Sequence, residues 1–341
     1  MQSQSSRHRA RTDGSLTGLA LGLCAACAAC APARPPPRAE LPAPLDTSSL
    51  AAFAQGPGAR WAIVAHPRAI AVGPLGALVD RLAPAAGVER LSKTLGVDVR
   101  AVPDALFVGY AATITYAAHL PSGASPSSAL DAFEQRILPP SGRASPRPDV
   151  VRAWGSMPSG SRASEVAMFS TRGDAVVAES GRFGPASVAI ALATHQLAAG
   201  RSLAQQTPFA ALAAWAGDAP LAILARCPLG GLLGAESTPV FAEECEGAAL
   251  SVRATADRNV TLAVRVRGHW GGDAAAAEKE LAGALAHVTE SDLGRALGLR
   301  DARIETAATP EAIDARVTLD GATLADGLRR LLAAEVTEVL R

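Results

Sequence analysis

The sequence predicts an α+β fold made of two similar lobes, each a mainly antiparallel sheet backed by helices on one face. Short apolar runs typical of strands alternate along the chain with amphipathic helical segments. The order strand, hairpin, helix, strands and helix occurs twice, in residues 59–200 and again in residues 218–341. One continuous sheet without internal symmetry is the alternative architecture.

The first lobe opens with a strand and then a helix. Residues 60–65 are a short apolar run that indicates a buried strand, and leucines at helical spacing follow Gly73 and Pro74. Residues 105–110 and 113–120 are expected to form a hairpin. The later elements before the second lobe are helices at 88–95, from Ser128 onward, at 185–197 and at 208–215, and strands at 150–154, 165–170 and 175–179.

The second lobe begins with the apolar run 220–226, which is similar to the first strand of the chain. Its hairpin is the clearest in the sequence, because residues 250–254 and 260–267 alternate apolar and polar side chains around a turn at 257–259. The remaining elements are a helix after Asp273, strands at 303–307 and 312–319, and a helix that starts at the capping pattern 323–326.

The N-terminal stretch carries three adjoining signals. Residues 1–14 contain three arginines and one histidine against one acid. Residues 16–26 are apolar and uncharged, about as long as the hydrophobic region of a signal peptide and too short to span a bilayer as a helix. Three cysteines, each separated from the next by two alanines, close this stretch: Cys24, Cys27 and Cys30.

These features together resemble the precursor of a bacterial lipoprotein, in which a lipidated cysteine becomes the first mature residue. The resemblance implies a signal peptide at residues 1–26 and lipid attachment at Cys27, with Cys30 as the alternative. Residues 27–58 then hold the lipidated cysteine and a semi-rigid linker rich in Pro and Ala. Because Ala28 rather than an aspartate follows Cys27, the resemblance also implies attachment to the outer membrane.

The three cysteines allow other interpretations. Cys-x-x-Cys-x-x-Cys is also the start of an iron–sulfur cluster loop, and Cys-x-x-Cys is the motif of a thioredoxin-like redox pair. Both need a folded polar loop, whereas these cysteines stand between an apolar run and a proline-rich linker. A secreted or periplasmic protein, cleaved after an alanine and released, remains the main alternative.

Composition excludes one class of partner. The 32 Lys and Arg residues balance the 32 Asp and Glu residues, so no basic field attracts nucleic acid. Aromatic residues make up only 4% of the chain, which weighs against a platform for stacking bases.

The two remaining cysteines of the mature chain, Cys227 and Cys245, are candidates for a disulfide. In an oxidising compartment an isolated pair of cysteines is more often bridged than reactive. Closing a loop of this length stabilises the fold by about 3 kcal/mol in the chain-entropy model. Two unrelated buried thiols are the alternative.

The sequence contains none of the common catalytic, phosphate-binding or dinucleotide-binding motifs. The acidic cluster at Glu243, Glu244 and Glu246 lacks the alternation of a calcium loop. No two histidines after residue 60 lie within four residues of each other: His66, His119, His195, His269 and His287. The sequence therefore predicts no catalytic residue, no metal and no cofactor.

Three functions fit this sequence. The first is a non-enzymatic lipoprotein of the cell envelope that binds a partner protein or scaffolds a complex. The second is a carrier or sensor for an apolar, lipid-like ligand. The third is an exported hydrolase whose Ser, His and acid meet only in the folded chain. We expect the first.

Overall fold

The structure is a computed structural model that describes residues 48–339 except for short internal segments. The segments outside the description are 83–84, 136–137, 148–149, 157–167, 171–173, 181–184, 229–243, 256–257 and 301. Cys27, Cys30 and the predicted signal peptide also lie outside it. The described residues belong to one compact unit, Pro44–Arg341.

Twelve strands of the described chain form a single antiparallel sheet. The strands are β1 (Trp61–Ala65), β2 (Ala105–Gly109), β3 (Ile114–His119), β4 (Leu138–Arg147), β5 (Val150–Ser156), β6 (Met168–Ser170), β7 (Ala175–Ser180), β8 (Leu221–Arg226), β9 (Cys245–Ala254), β10 (Asn259–Gly268), β11 (Ile304–Thr309) and β12 (Ala312–Asp320). Their order across the sheet is β11-β12-β10-β9-β8-β1-β2-β3-β7-β6-β5-β4.

The α-helices of the described residues cover parts of both sheet faces. They are α1 (Pro67–Val72), α2 (Gly76–Leu82), α3 (Ala85–Leu95), α4 (Pro126–Glu134), α5 (Pro185–Ala193), α6 (Phe209–Ala216), α7 (Ala274–Glu290), α8 (Asp292–Ala296) and α9 (Gly321–Val339). None of these helices combines the length and the hydropathy of a membrane-spanning helix.

The structure confirms the predicted α+β class and antiparallel sheet. The pairing of β1 with β8 joins the strands of the two predicted lobes, so that they form one continuous sheet. On each side of this pair the chain adds a hairpin, crosses through a helix to the outer edge, and returns beside the hairpin. The division into two lobes, at residues 59–200 and 218–341, stays a prediction.

The main hydrophobic core lies between the sheet and helices α5 and α6, on what we call the α6 face. Alternate residues of the central strands, such as Ala62, Val108 and Leu224, point into this core. Leu192 of α5 and Leu212 of α6 pack against them. Since a strand directs alternate side chains to opposite faces, the residues between them lie on the other side of the sheet.

The opposite side, which we call the α7 face, holds three smaller cores. α4 packs Leu130 against Ala153 of β5, and α7 packs Leu281 against Ile313 of β12. α9 packs Leu324 against Val260 of β10. The helices therefore cover both sheet faces. The expectation of helices on one face is wrong for residues 59–200, where α4 and α5 lie on opposite faces, whereas the described helices of residues 218–341 pack on the α7 face alone.

The folded unit begins earlier than residue 59, where the predicted linker was expected to end. Leu50 and Phe53 are 7% and 1% exposed and belong to the core of the α6 face. The phenolic hydroxyl of Tyr110 donates a hydrogen bond to the carbonyl oxygen of Gln55 over 2.7 Å. Residues 50–55 are therefore part of the domain.

Gly109 at the end of β2 leaves space for the indole ring of Trp61, its direct partner on β1. A Cβ atom at this position would lie 2.0 Å from the Trp61 ring, far inside van der Waals contact. The glycine thus allows the ring to lie across its neighbouring strand.

We predict that Gly109→Ala lowers the free energy of unfolding by about 1–3 kcal/mol, because the added methyl group displaces the Trp61 ring. Denaturant titration followed by circular dichroism measures this change. Gly87→Ala in α3, where a Cβ atom meets nothing within 4 Å, is the control and is expected to be neutral or stabilising by up to about 1 kcal/mol. Equal midpoints for Gly109→Ala and the wild type would contradict the packing described.

Candidate functional site

The predicted disulfide is present between Cys227 and Cys245, with 5.8 Å between the two Cα atoms. It links the chain just after β8 to the first residue of β9. The bond confirms the predicted pairing and is consistent with export to an oxidising compartment.

Two of the histidines come together at one end of the sheet, around Asp104. His66 directly follows β1, Asp104 precedes β2, and His119 is the last residue of β3. His66 Nδ1 lies 2.6 Å from Asp104 Oδ1, and His119 Nδ1 lies 3.1 Å from Asp104 Oδ2. With a proton on Nδ1, each imidazole donates a hydrogen bond to a different oxygen of the Asp104 carboxylate.

The two histidines lower the pKa of the Asp104 carboxyl group. Partial burial of Asp104 opposes its ionisation, but the hydrogen bonds from His119 and His66 and their charges outweigh this effect. The pKa of Asp104 therefore lies below its usual 3.8. An ionised Asp104 accepts hydrogen bonds from both rings and holds them in place.

An open cavity of about 600 Å³ lies beside this cluster. His66 and Asp218 line it, together with Arg68 and Val72 of α1. A histidine held by a carboxylate is suited to accept a proton. The described lining, however, includes no Ser, Thr or Cys, so the Ser-His-acid arrangement considered from the sequence is not assembled there.

The other histidines form no common site in the described part of the chain. His269 Nε2 lies 2.9 Å from Glu246 Oε1, and the second oxygen of Glu246 accepts a hydrogen bond from Arg267 over 2.8 Å. Among the described residues, no group of three His, Cys, Asp or Glu side chains could hold a metal ion.

Polar side chains are also buried in the core of the α6 face. Thr115 and Glu179 are directly opposite each other on β3 and β7, and are 1% and 3% exposed. Burial and the nearby carboxylate of Glu179 raise the pKa of Tyr110. This group ties the core to residues 50–55, through the bond from Tyr110 to Gln55.

A charged depression of about 440 Å³ lies on the α6 face over strands β10, β12 and β11. Arg265 donates from Nε and Nη2 to the two carboxylate oxygens of Asp314, over 2.7 and 2.6 Å. The Arg265 guanidinium also lies 5.3 Å from the centre of the Trp215 ring. The Arg265 side chain therefore covers this face of the Trp215 ring.

The most extensive unusual surface is a line of apolar side chains that crosses the centre of the α7 face, one residue per strand. We call it the apolar row. Its residues are direct partners in the strand register: Ala178, Tyr116, Phe107, Ile63, Ile223, Leu250 and Val264. The two ends of the row pack into the cores under α4 and α7.

The middle of the apolar row is open to solvent. Tyr116 is 38% exposed and Ile223 is 36% exposed, although both lie near the centre of a twelve-stranded sheet. The rings of Phe107 and Tyr116 meet edge to face, with their centres 5.5 Å apart. Partly exposed apolar side chains that follow one another across neighbouring strands make the row a candidate binding surface.

The sequence showed only part of this surface. The predicted hairpin at residues 105–110 and 113–120 includes Phe107 and Tyr116, but their alignment with the other residues of the row depends on strand register. One sequence feature does point to this surface: the runs 61–65 and 221–226 are apolar at nearly every position. Such runs are typical of strands with apolar residues on both faces.

Comparisons with known proteins identify no family for this chain. No protein-family model matches the chain, and no curated protein does. Two solved structures of the protein TP0453, crystal forms IV and I, share 10% and 12% sequence identity with it. The matches cover 82% and 85% of this chain and 95% and 99% of those chains, with TM-scores of 0.46 and 0.47.

We predict that Asp104→Asn lowers the free energy of unfolding most clearly near pH 5, where the Asp104 carboxylate is ionised. Because the folded-state pKa of Asp104 is depressed, its stabilisation is present above pH 3.8 and is lost as the pH falls through the lower folded-state value. Denaturant titrations at pH 5 and pH 3 test this difference.

The matched control is Asp131→Asn, at an exposed aspartate inside α4. This variant is expected to change stability little at either pH. A penalty for Asp104→Asn that is equal at pH 5 and pH 3 would show that the ionised carboxylate is not the stabilising species.

Proposed function

We propose that this chain is a non-enzymatic, lipid-anchored protein of the cell envelope that binds a partner protein through the apolar row. The observation that carries the proposal is the exposure of Tyr116 and Ile223 at the centre of the sheet. Burying such side chains against a partner gains about 25 cal/mol for each Å² of apolar surface removed from water.

The width of the open region supports an α-helix as the bound segment. The central strands β8, β1, β2 and β3 span about 14 Å, at about 4.8 Å per strand spacing. A helix with its side chains is about 10–12 Å wide. One amphipathic helix of the partner thus fits on the apolar row, with its apolar face toward Phe107 and Ile223.

The openness of the row favours a protein over a small lipid-like ligand. Ligand pockets usually bury 70–90% or more of the surface of their ligand. The apolar row is a surface with exposed side chains at its centre, on which a small ligand would keep much of its own surface in water. A partner helix brings the rest of its protein to cover what remains.

The location in the envelope rests on two features of the chain. The disulfide between Cys227 and Cys245 fits an oxidising compartment. The lipoprotein-like N-terminus supplies the anchor at Cys27, with Cys30 as the alternative, and Ala28 supports the outer membrane as its destination. Release as a soluble periplasmic or secreted protein is the alternative.

Site-specific photo-crosslinking in the native cell tests the binding surface. We predict that benzoylphenylalanine in place of Tyr116 gives an adduct with another protein, at a peptide that forms an amphipathic helix. The same probe in place of Leu293, an exposed leucine on α8, should give none. When Ile223→Lys is introduced into the chain that carries the probe at position 116, the adduct should be abolished, because the lysine places a charge in the apolar row.

Circular dichroism and thermal unfolding of Ile223→Lys establish that its fold is intact. An adduct made only with lipid would transfer the proposal to a carrier of apolar ligands. Equal adducts from positions 116 and 293, or an adduct that Ile223→Lys leaves unchanged, would refute binding at the apolar row.

Intact-mass analysis of the protein from native membranes tests the anchor. We predict a mass that starts at Cys27 and includes acyl chains, since stable attachment needs more than one chain. Cys27→Ala should remove the acyl mass and the membrane association, whereas Cys30→Ala, the matched control, should keep both. An unmodified protein in the soluble fraction would refute the anchored form.

A further inference from the structure

The two edge strands of the sheet differ in their ability to pair with another strand. β4 contains Pro139, Pro140 and Pro146, and its register with β5 shifts at two places. Proline lacks the N–H group that a strand ladder requires, and irregular register bends an edge away from pairing. The sheet is thus protected against extension at β4.

β11, at the other edge, has none of these protections. Its six residues pair with β12 without a register shift and include neither proline nor lysine. No strand among the described residues pairs with its outer side. Glu305, Ala307 and Thr309 are exposed, so no helix of the described chain covers this edge on their side. Such an edge is a template for another strand.

We propose that β11 pairs antiparallel with β11 of a second copy of this chain, across a twofold axis. Each chain has one regular edge, β11, and one protected edge, β4. A contact between two chains through β11 therefore leaves no regular edge unpaired. The resulting dimer presents only β4 edges, and assembly stops there. A symmetric contact that closes in this way is the commonest arrangement of soluble oligomers.

The side chains of β11 are compatible with this pairing. In the register that sets Ala307 opposite Ala307 of the second copy, Glu305 lies opposite Thr309 and Thr306 lies opposite Ala308. No like charges face each other, which would destabilise a strand pair. Ile304 and Ala308 already pack in the core under α7, so the second copy extends an apolar side of the sheet.

The dimer contact is independent of the proposed partner surface. β11 lies four strands away from β8, where the exposed part of the apolar row begins. Both rows of a dimer therefore stay open. Failure of either proposal leaves the other standing.

The variant Ala307→Lys tests the dimer contact. Ala307 is exposed and lies directly opposite Asp314 of β12, so the new ammonium group has an acidic neighbour within its own chain, one that already pairs with Arg265. Across the twofold axis, two lysines would meet and repel. We expect the purified full chain to be dimeric by sedimentation equilibrium, and Ala307→Lys to raise the dissociation constant about tenfold or more.

The matched control is Ala144→Lys, at an exposed alanine of the protected edge strand β4, which should leave the dissociation constant unchanged. Amide hydrogen exchange gives a second readout. Residues 304–309 should gain protection as wild-type protein concentration rises, and Ala307→Lys should lose this gain while its circular dichroism is unchanged.

A wild-type chain that stays monomeric at all concentrations would overturn the proposal. So would dimers that form equally well with Ala307→Lys. Protection of residues 304–309 that needs added envelope extract would also overturn it, and would assign the edge to a strand of another protein.

Discussion

The hydrogen-bonded pairing of β1 with β8 is the interaction on which the rest of the structure depends. It aligns Trp61–Ala65 with Leu221–Arg226 and connects two sets of strands that would otherwise end in open edges. The helices α5 and α6 share one core over this junction, with Ala62 and Leu224 among its fully buried residues. Any change that separates β1 from β8 therefore divides the main core as well as the sheet.

The same junction explains why the centre of the α7 face is open. The helices of that face follow the outer strands, where α4 covers one side and α7 and α9 cover the other. The central strands belong to neither group, and their apolar side chains between β3 and β8 are covered only in part. The candidate binding surface is thus a result of joining these two sets of strands, rather than an addition to the fold.

Local patterns predicted the local features well. Alternation over residues 250–267 identified the hairpin of β9 and β10, and the isolated pair of Cys227 and Cys245 indicated the disulfide. Two helices begin earlier than their capping patterns indicated, α4 at Pro126 and α9 at Gly321. At α9 the carboxylate of Asp320 accepts the hydrogen bonds expected of a cap residue, which moves the start upstream.

Features that depend on distant parts of the chain could not be predicted in this way. Asp104 is 38 residues from His66 and 15 from His119, and only the ends of three neighbouring strands bring them together. The apolar run at 61–65 suits an inner strand of a lobe as well as the centre of a larger sheet. Nothing in such a run specifies β8 as its partner.

The pairing of β1 with β8 also has a consequence for how the chain acquires its fold. β1 leaves the ribosome or an export channel long before β8, and during that interval it has a neighbour on one side only. Closing this long loop is expected to slow folding, since contacts distant in sequence form slowly. Factors that shield unpaired strands from each other should therefore matter more for this protein than for a domain built from local contacts.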